Sequence, residues 1–172
     1  MLVLDPPPIQ LEELVEQRRR IGADRHDEVW AGVYHMVPVA SAAHSFLAQQ
    51  VAVLLDEPAR AAGLRVSMEF NMGVKDDFRV PDLGVHRKRC SGVWIATAAV
   101  VVEILSPGDE TPEKLPFYAE HGVDEVLIID PASQSVRWLA LRAGEYRPAA
   151  QSKLLDLAAS ELAERIDWPE RD

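Results

Sequence analysis

Asp82 and Glu103 are the residues of this chain whose type and setting best suit chemistry. Asp82 follows Pro81 in a strand-like stretch, and Glu103 interrupts the apolar run Val100-Val101-Val102-Glu103-Ile104-Leu105. A carboxylate tied to hydrophobic strands costs free energy unless it is paired, hydrogen-bonded or bound to a cation. Two of them on neighbouring strands would make a seat for a hard divalent metal, which needs only one or two protein carboxylates and keeps several waters. Such a metal lowers the pKa of a water and neutralises charge growing on phosphorus-bound oxygens. That is the chemistry of metal-assisted phosphodiester hydrolysis. The backbone carbonyl of Ile104 could add a ligand. Lys114, in the next helix, supplies an ammonium to orient the water or stabilise the transition state. Each residue also has an ordinary reading. Pro-Asp pairs start turns, and a lone Glu in an apolar run can be salt-bridged to a structural Arg or Lys.

The elements that must position these groups follow from the hydrophobic pattern. Ile9 to Arg20 reads as a helix with Leu11, Leu14 and Val15 on one side, preceded by Pro6-Pro7-Pro8 and ended by Gly22. Glu28 to Val37 reads as a hairpin about Gly32. Ser41 offers a cap for the longest helix, whose Phe46, Leu47, Val51, Leu54 and Leu55 recur at helical spacing; Pro58 interrupts it and Gly63 closes it. Arg65 to Phe70 alternates as a half-buried strand does. Lys75-Asp76-Asp77 makes a turn, and Phe78 to His86 makes a second strand containing Pro81-Asp82, where proline implies an edge, a bulge or a start. Arg87 opens a loop running to about Ala96. Ala98 to Leu105 is apolar enough for a central strand covered on both faces. Thr111 caps a helix with Pro112 in its first turn, although Pro116 could move the start later. Asp124 to Asp130 is another buried strand, Ser135 to Leu141 and Glu145 to Pro148 form a hairpin about Ala143-Gly144, and Leu154 to Arg165 forms a terminal helix. This order predicts an α/β domain, bordering on α+β, with a mixed central sheet flanked by helices.

The 172 residues suit one domain spanning 1–172, with its core at about 28–146. A single cysteine, Cys90, forbids an internal disulfide, and no apolar stretch reaches the roughly 20 residues of a membrane span. No signal-peptide pattern opens the chain. We therefore expect a cytoplasmic protein that makes no membrane contact. The net charge of −10 argues against non-specific coating of nucleic acid, which depends on Lys and Arg. It does not exclude a nuclease, because a bound metal reverses the local field.

The stretches Val80-Pro81-Asp82-Leu83, Val101-Val102-Glu103-Ile104-Leu105-Ser106-Pro107, Glu113-Lys114-Leu115-Pro116-Phe117-Tyr118 and Gly122 to Asp130 together resemble the Uma-two family. That is a bacterial group of restriction-endonuclease-like proteins in the PD-(D/E)XK nuclease superfamily. The resemblance runs from about Glu28 to about Tyr146. It implies a restriction-endonuclease-like fold, here with additional N-terminal and C-terminal hairpins. It also implies a divalent metal, magnesium or manganese, on Asp82 and Glu103, and hydrolysis of nucleic acid, most naturally DNA. The wider superfamily places a Lys two residues after the Glu. That position here is Leu105, and in this family the lysine comes from the following helix, which points to Lys114.

Other residues carry smaller expectations. Glu28 is a possible third acid, or a polar residue flanking a strand. His44 could bond a carboxylate or phosphate, or serve the helix start. Asp109 and Glu110 could hold their loop or serve the metal. Arg87, Lys88 and Arg89 could contact phosphates, or form a solvated basic loop. Asp130 suits a turn, and Cys90 lacks a partner pattern for a nucleophile. A homodimer would suit a nuclease that cuts both strands. The competing expectation is a catalytically inactive module that keeps the fold and associates with itself or another protein.

Overall fold

The computed structural model describes residues Leu2–Leu4 and 9–170. In chain order the elements are β1 (Leu2–Leu4), α1 (Ile9–Ile21), β2 (Glu28–Trp30), β3 (Val33–Met36), α2 (Ala42–Ala61), β4 (Arg65–Met68), β5 (Asn71–Val74), β6 (Asp77–Arg79), β7 (Leu83–His86) and β8 (Trp94–Ile95). There follow β9 (Val100–Ile104), α3 (Thr111–Glu120), β10 (Glu125–Asp130), β11 (Ser135–Arg142), β12 (Glu145–Ala149), β13 (Gln151–Ser152), β14 (Leu157–Ala158) and α4 (Ala159–Arg165). Pro6, Pro7 and Pro8, and the side chain of Leu11, lie outside the described residues.

Two six-stranded sheets carry the molecule. The central one runs β12-β11-β10-β9-β7-β4 and is mixed: β9 and β10 are parallel, and the other neighbours are antiparallel. Strand β9 occupies its middle because both faces are covered. Val100, Val102 and Ile104 face the cluster built with Leu47, Val51 and Leu55 of α2 and Leu162 of α4. Val101 faces the cluster built with Phe117 and Tyr118 of α3. Burying each of these aliphatic side chains stabilises the fold by about 1.5–3 kcal/mol. Glu103 shares the α3 face with Val101, as the two-residue period of a strand requires.

The second sheet runs β1-β3-β2-β6-β5-β8. The expected first hairpin is its β2–β3 pair, turned by Ala31 and Gly32, both in the left-handed region. The β11–β12 hairpin turns the same way on Ala143 and Gly144. The expected strand from Phe78 to His86 is two strands: β6 belongs to the second sheet and β7 to the central one. Val80-Pro81-Asp82 crosses between the sheets, where a proline without an N–H interrupts no ladder. Asn71–Val74 and Trp94–Ile95 are further strands that were not expected.

Three helix boundaries also differ from expectation. Helix α2 continues through Pro58 to Ala61, and the chain turns on left-handed Gly63, with Leu64 donating to the Ala59 carbonyl at 2.7 Å. Helix α3 takes the earlier of its two expected starts, but Thr111 is its first residue and not its cap; Glu110 is the cap and makes no side-chain bond, while the side chain of Asp109 accepts from the Thr111 N–H at 2.7 Å. The last helix begins at Ala159, because turns and β14 occupy the preceding residues.

Candidate active site

Strand register brings the two acids together. Leu83 pairs with Val102 and Val85 with Val100, so Asp82, one residue before β7, stands across from Glu103. The Ile104 N–H donates to Asp82 Oδ2 at 2.7 Å, which fixes that carboxylate at the end of β9. Asp82 Oδ1 lies 2.8 Å from His44 Nε2. Ser41 caps α2, its Oγ accepting from the His44 N–H at 3.2 Å, so the imidazole is anchored to the first helical turn. His44 Nδ1 lies 3.5 Å from Ser106 Oγ. The hydrogen bond to Asp82 raises the His44 pKa above its ordinary value.

Glu103 is buried, 4% exposed. Its Oε1 accepts from the Tyr118 hydroxyl and lies 3.3 Å from Lys114 Nζ. Lys114 and Tyr118 are one turn apart on α3, so both reach the same carboxylate. Lys114 Nζ also lies 2.9 Å from Glu28 Oε1. Glu28, 2% exposed, accepts from the Val80 N–H at 2.8 Å and from Trp30 Nε1 at 2.6 Å. Arg79 lies over the Trp30 ring at 4.6 Å and over Phe117 at 4.1 Å, bridging the second sheet to α3.

These groups form an electrostatic cluster of one ammonium among three carboxylates. Burial pushes the Glu103 carboxyl up to about 8, against the pull of Lys114; Asp82 and Glu28 add to the rise. Burial also opposes charge on Lys114, but Glu103 and Glu28 outweigh it and raise its pKa. Tyr118 is raised well above its ordinary value by burial and by Glu103. Glu28, His44, Asp82, Glu103, Ile104 and Lys114 line one cavity of about 330 Å³, with the 37–41 and 106–110 loops at its mouth.

The donor set fits a hard divalent cation. Asp82 and Glu103 both line the cavity, and carboxyl oxygens are the donors that such a cation takes. Among the described residues, no three His, Cys, Asp or Glu side chains converge as a ready cage. A magnesium-type site retaining waters needs no such cage.

The remaining expected residues lie apart from this cluster or serve the frame. Asp109 accepts from the Ser106 and Thr111 N–H groups and so holds its loop; Glu110 lies 3.7 Å from His35. Arg87 leaves β7 at the end opposite Asp82 and pairs with Asp124 at 2.7 Å. Lys88, Arg89 and Cys90 are exposed beside it. Asp130 accepts from Ala132 and Ser133 in a turn. Sequence reasoning gave Tyr118 and Trp30 no part. Each had a signal: Tyr118 its spacing of four from Lys114, and Trp30 its spacing of two from Glu28 on one strand.

A family model described as Uma2, putative restriction endonuclease, matches residues 11–168, and the chain belongs to that family. A crystal structure of a putative nuclease belonging to DUF820 from Anabaena variabilis ATCC 29413 matches with a TM-score of 0.65 at 17% identity. That match covers 81% of this chain and 90% of the other and establishes a shared, restriction-endonuclease-like fold. A cryo-electron-microscopy structure of a DrdV–DNA complex overlaps 67% of this chain and 10% of its own, with 18% identity and a TM-score of 0.38, too low to bear on either fold or function. No curated protein matches the chain.

Proposed function

We propose that this protein is a divalent-metal-dependent endonuclease that hydrolyses phosphodiester bonds in DNA. The observation that carries the reading is Asp82 standing across from Glu103 at one end of the central sheet, with Lys114 Nζ 3.3 Å from Glu103, in one cavity. Family membership supports it.

Asp82 and Glu103 would hold magnesium or manganese, with the Ile104 carbonyl as a further oxygen. Bound there, the metal would acidify a water and neutralise charge on the phosphate. Lys114, kept charged by Glu28 and Glu103, would direct its N–H bonds at the attacking water or at the oxygen that gains charge. Glu28 would hold this lysine; its oxygens already accept from Val80, Trp30 and Lys114. His44 would fix the orientation of Asp82, and Tyr118 that of Glu103. Arg87, Lys88 and Arg89, at the far end of β7, take no part in this step.

The purified protein should nick supercoiled plasmid with magnesium or manganese and stop with chelator. Asp82→Ala and Glu103→Ala should abolish nicking, and Lys114→Met should slow it by about 10²–10³-fold, the usual effect of losing one charge-stabilising donor. Nicking that survives in both acid variants, with folding intact by circular dichroism, overturns the proposal.

One observation favours the non-catalytic reading. Glu103 Oε1 already holds both Lys114 and Tyr118, so the cluster is internally satisfied without a metal. Magnesium then becomes the discriminator. A ligand of the folded state raises stability by mass action. A wild type neither nicking DNA nor gaining thermal stability in magnesium would be an inactive module.

A further inference from the structure

The two margins of the central sheet are built differently. The β12 margin is blunted by Pro148 and by exposed Glu145 and Arg147. Such residues discourage another strand from adding. The β4 margin has no proline, and its outer side pairs with no strand among the described residues. Beside it, α2 exposes Phe46 and Val53, seven residues apart and so on the same side of the helix, and β4 itself exposes Met68. An open groove lined by apolar Ala52, Val53, Val66 and Met68 and by polar Gln49, Asp56 and Ser67 runs between helix and strand.

The sequence of this margin is self-complementary. An antiparallel pairing of Arg65-Val66-Ser67-Met68-Glu69 with a second copy, centred on Ser67, sets Arg65 opposite Glu69 and Val66 opposite Met68. Strand alternation, carried one residue past the end of β4 to Glu69, puts both charged pairs on one face and both apolar pairs on the face that carries α2. Among the described residues Arg65 stands clear of other charges, and Glu69 stands beside His26 at the lining of the active-site cavity. Arg65 is exposed and forms no ion pair among the described residues; its guanidinium donates to the Leu64 carbonyl at 2.7 Å. The Glu69 side chain is 46% exposed, and its contact with His26 is 3.5 Å long.

We propose that β4 is the self-pairing edge of a two-fold dimer of this chain. Two copies extend their central sheets into one through β4, with Arg65 of each opposite Glu69 of the other. Met68 of each copy enters the groove between β4 and α2 of the other. The interface is isologous, so every contact occurs twice, and cross-strand charge pairs set the register.

Sedimentation velocity across a concentration series tests this. The wild type should dimerise. Arg65→Glu and Glu69→Arg should each weaken the dimer by about tenfold or more, since each sets like charges opposite one another twice. The double variant carrying both changes should restore the dimer. A monomer at every concentration overturns the proposal, as does a dimer indifferent to the single changes or a double variant as weak as they are. Should a charge variant lose its circular dichroism, cross-linking decides the matter. Ser67→Cys in a Cys90→Ser background should join to its own copy through a short bis-maleimide, because residue 67 faces itself. Failure to cross-link overturns the proposal.

Discussion

At the residue scale, the cluster depends on how Glu28 is held. Three donors converge on it, and the Trp30 indole N–H occupies Oε2 at 2.6 Å. Arg79 keeps that indole in place by lying over its ring. Trp30→Phe retains an aromatic ring for Arg79 and removes only the N–H. A hydrogen bond to a charged group contributes about 1.5–3 kcal/mol, so Glu28 should lose orientation and Lys114 its aim. We expect kcat for plasmid nicking to fall by about tenfold or more with KM nearly unchanged, and the denaturant midpoint to drop by what the lost bond contributes, about 1.5–3 kcal/mol. An unaltered kcat would leave Trp30 with packing alone. Asp82 and Glu103 could be found in the sequence because a charge in an apolar strand, or just beside one, is conspicuous by type; Lys114, on α3, was reached by its place in the next helix and by the family resemblance. Trp30 was less legible: its spacing of two puts it on the same face of β2 as Glu28, but Glu28 gains its role only when the fold brings Lys114 to it.

At the scale of elements, the β5–β6 hairpin fixes the crossing that delivers Val80 and Asp82. Gly73 sits in that hairpin at φ +120°, and a Cβ there would stand 2.3 Å from the Asp77 carbonyl oxygen and 2.9 Å from the Phe117 ring. Gly73 pairs with Phe78, so the clash falls within the hairpin's own ladder and against α3. Gly73→Ala should therefore destabilise the fold by about 1–3 kcal/mol through overpacking and strain. The melting temperature should drop by several degrees, and the loss should appear equally with and without magnesium. A variant as stable as the wild type would mean the hairpin shifts freely. This hairpin was also the part of the fold least legible in the sequence. Val126-Leu127-Ile128-Ile129 and the run around Glu103 announce buried strands by composition, and Gly22, Gly63 and Gly122 mark helix ends. Met72 and Val74 alternate with Asn71 and Gly73, but the stretch is only four residues long and carries a glycine, which weakens a strand signal. The continuous pattern from Phe78 to His86 hides a change of sheet at Pro81, because local alternation does not report which partner a strand pairs with.

At the scale of the whole molecule, stability against pH is a sum of buried groups with opposite signs. Burial lowers the pKa of both His35 and His86. Each is neutral in the fold and takes up a proton more readily when unfolded. The stability each contributes is present above the ordinary histidine value of about 6.5 and is lost as pH falls through the lowered one. His44 and Glu103 act the other way. Their raised values mean that the fold binds protons more tightly than the unfolded chain, so their contribution is lost as pH rises, for Glu103 through about 8. The net profile between pH 5 and 8 is therefore no test of any one group, whereas a difference between two proteins is. His86 is 5% exposed, its Nδ1 has no partner among the described residues, its Nε2 meets Ser67 Oγ at 2.9 Å, and its ring stands edge-on to Phe70. Replacing it by phenylalanine keeps a flat ring there and removes the titration. Urea midpoints of the wild type and His86→Phe, measured from pH 7.5 to 5, should move apart in one direction only. Whatever their offset at pH 7.5, the wild type should lose ground to the variant as pH drops below about 6.5. A constant gap, or one that moves in favour of the wild type, would mean that His86 protonates as easily in the fold as in the open chain, and that the face of β7 behind the site admits water.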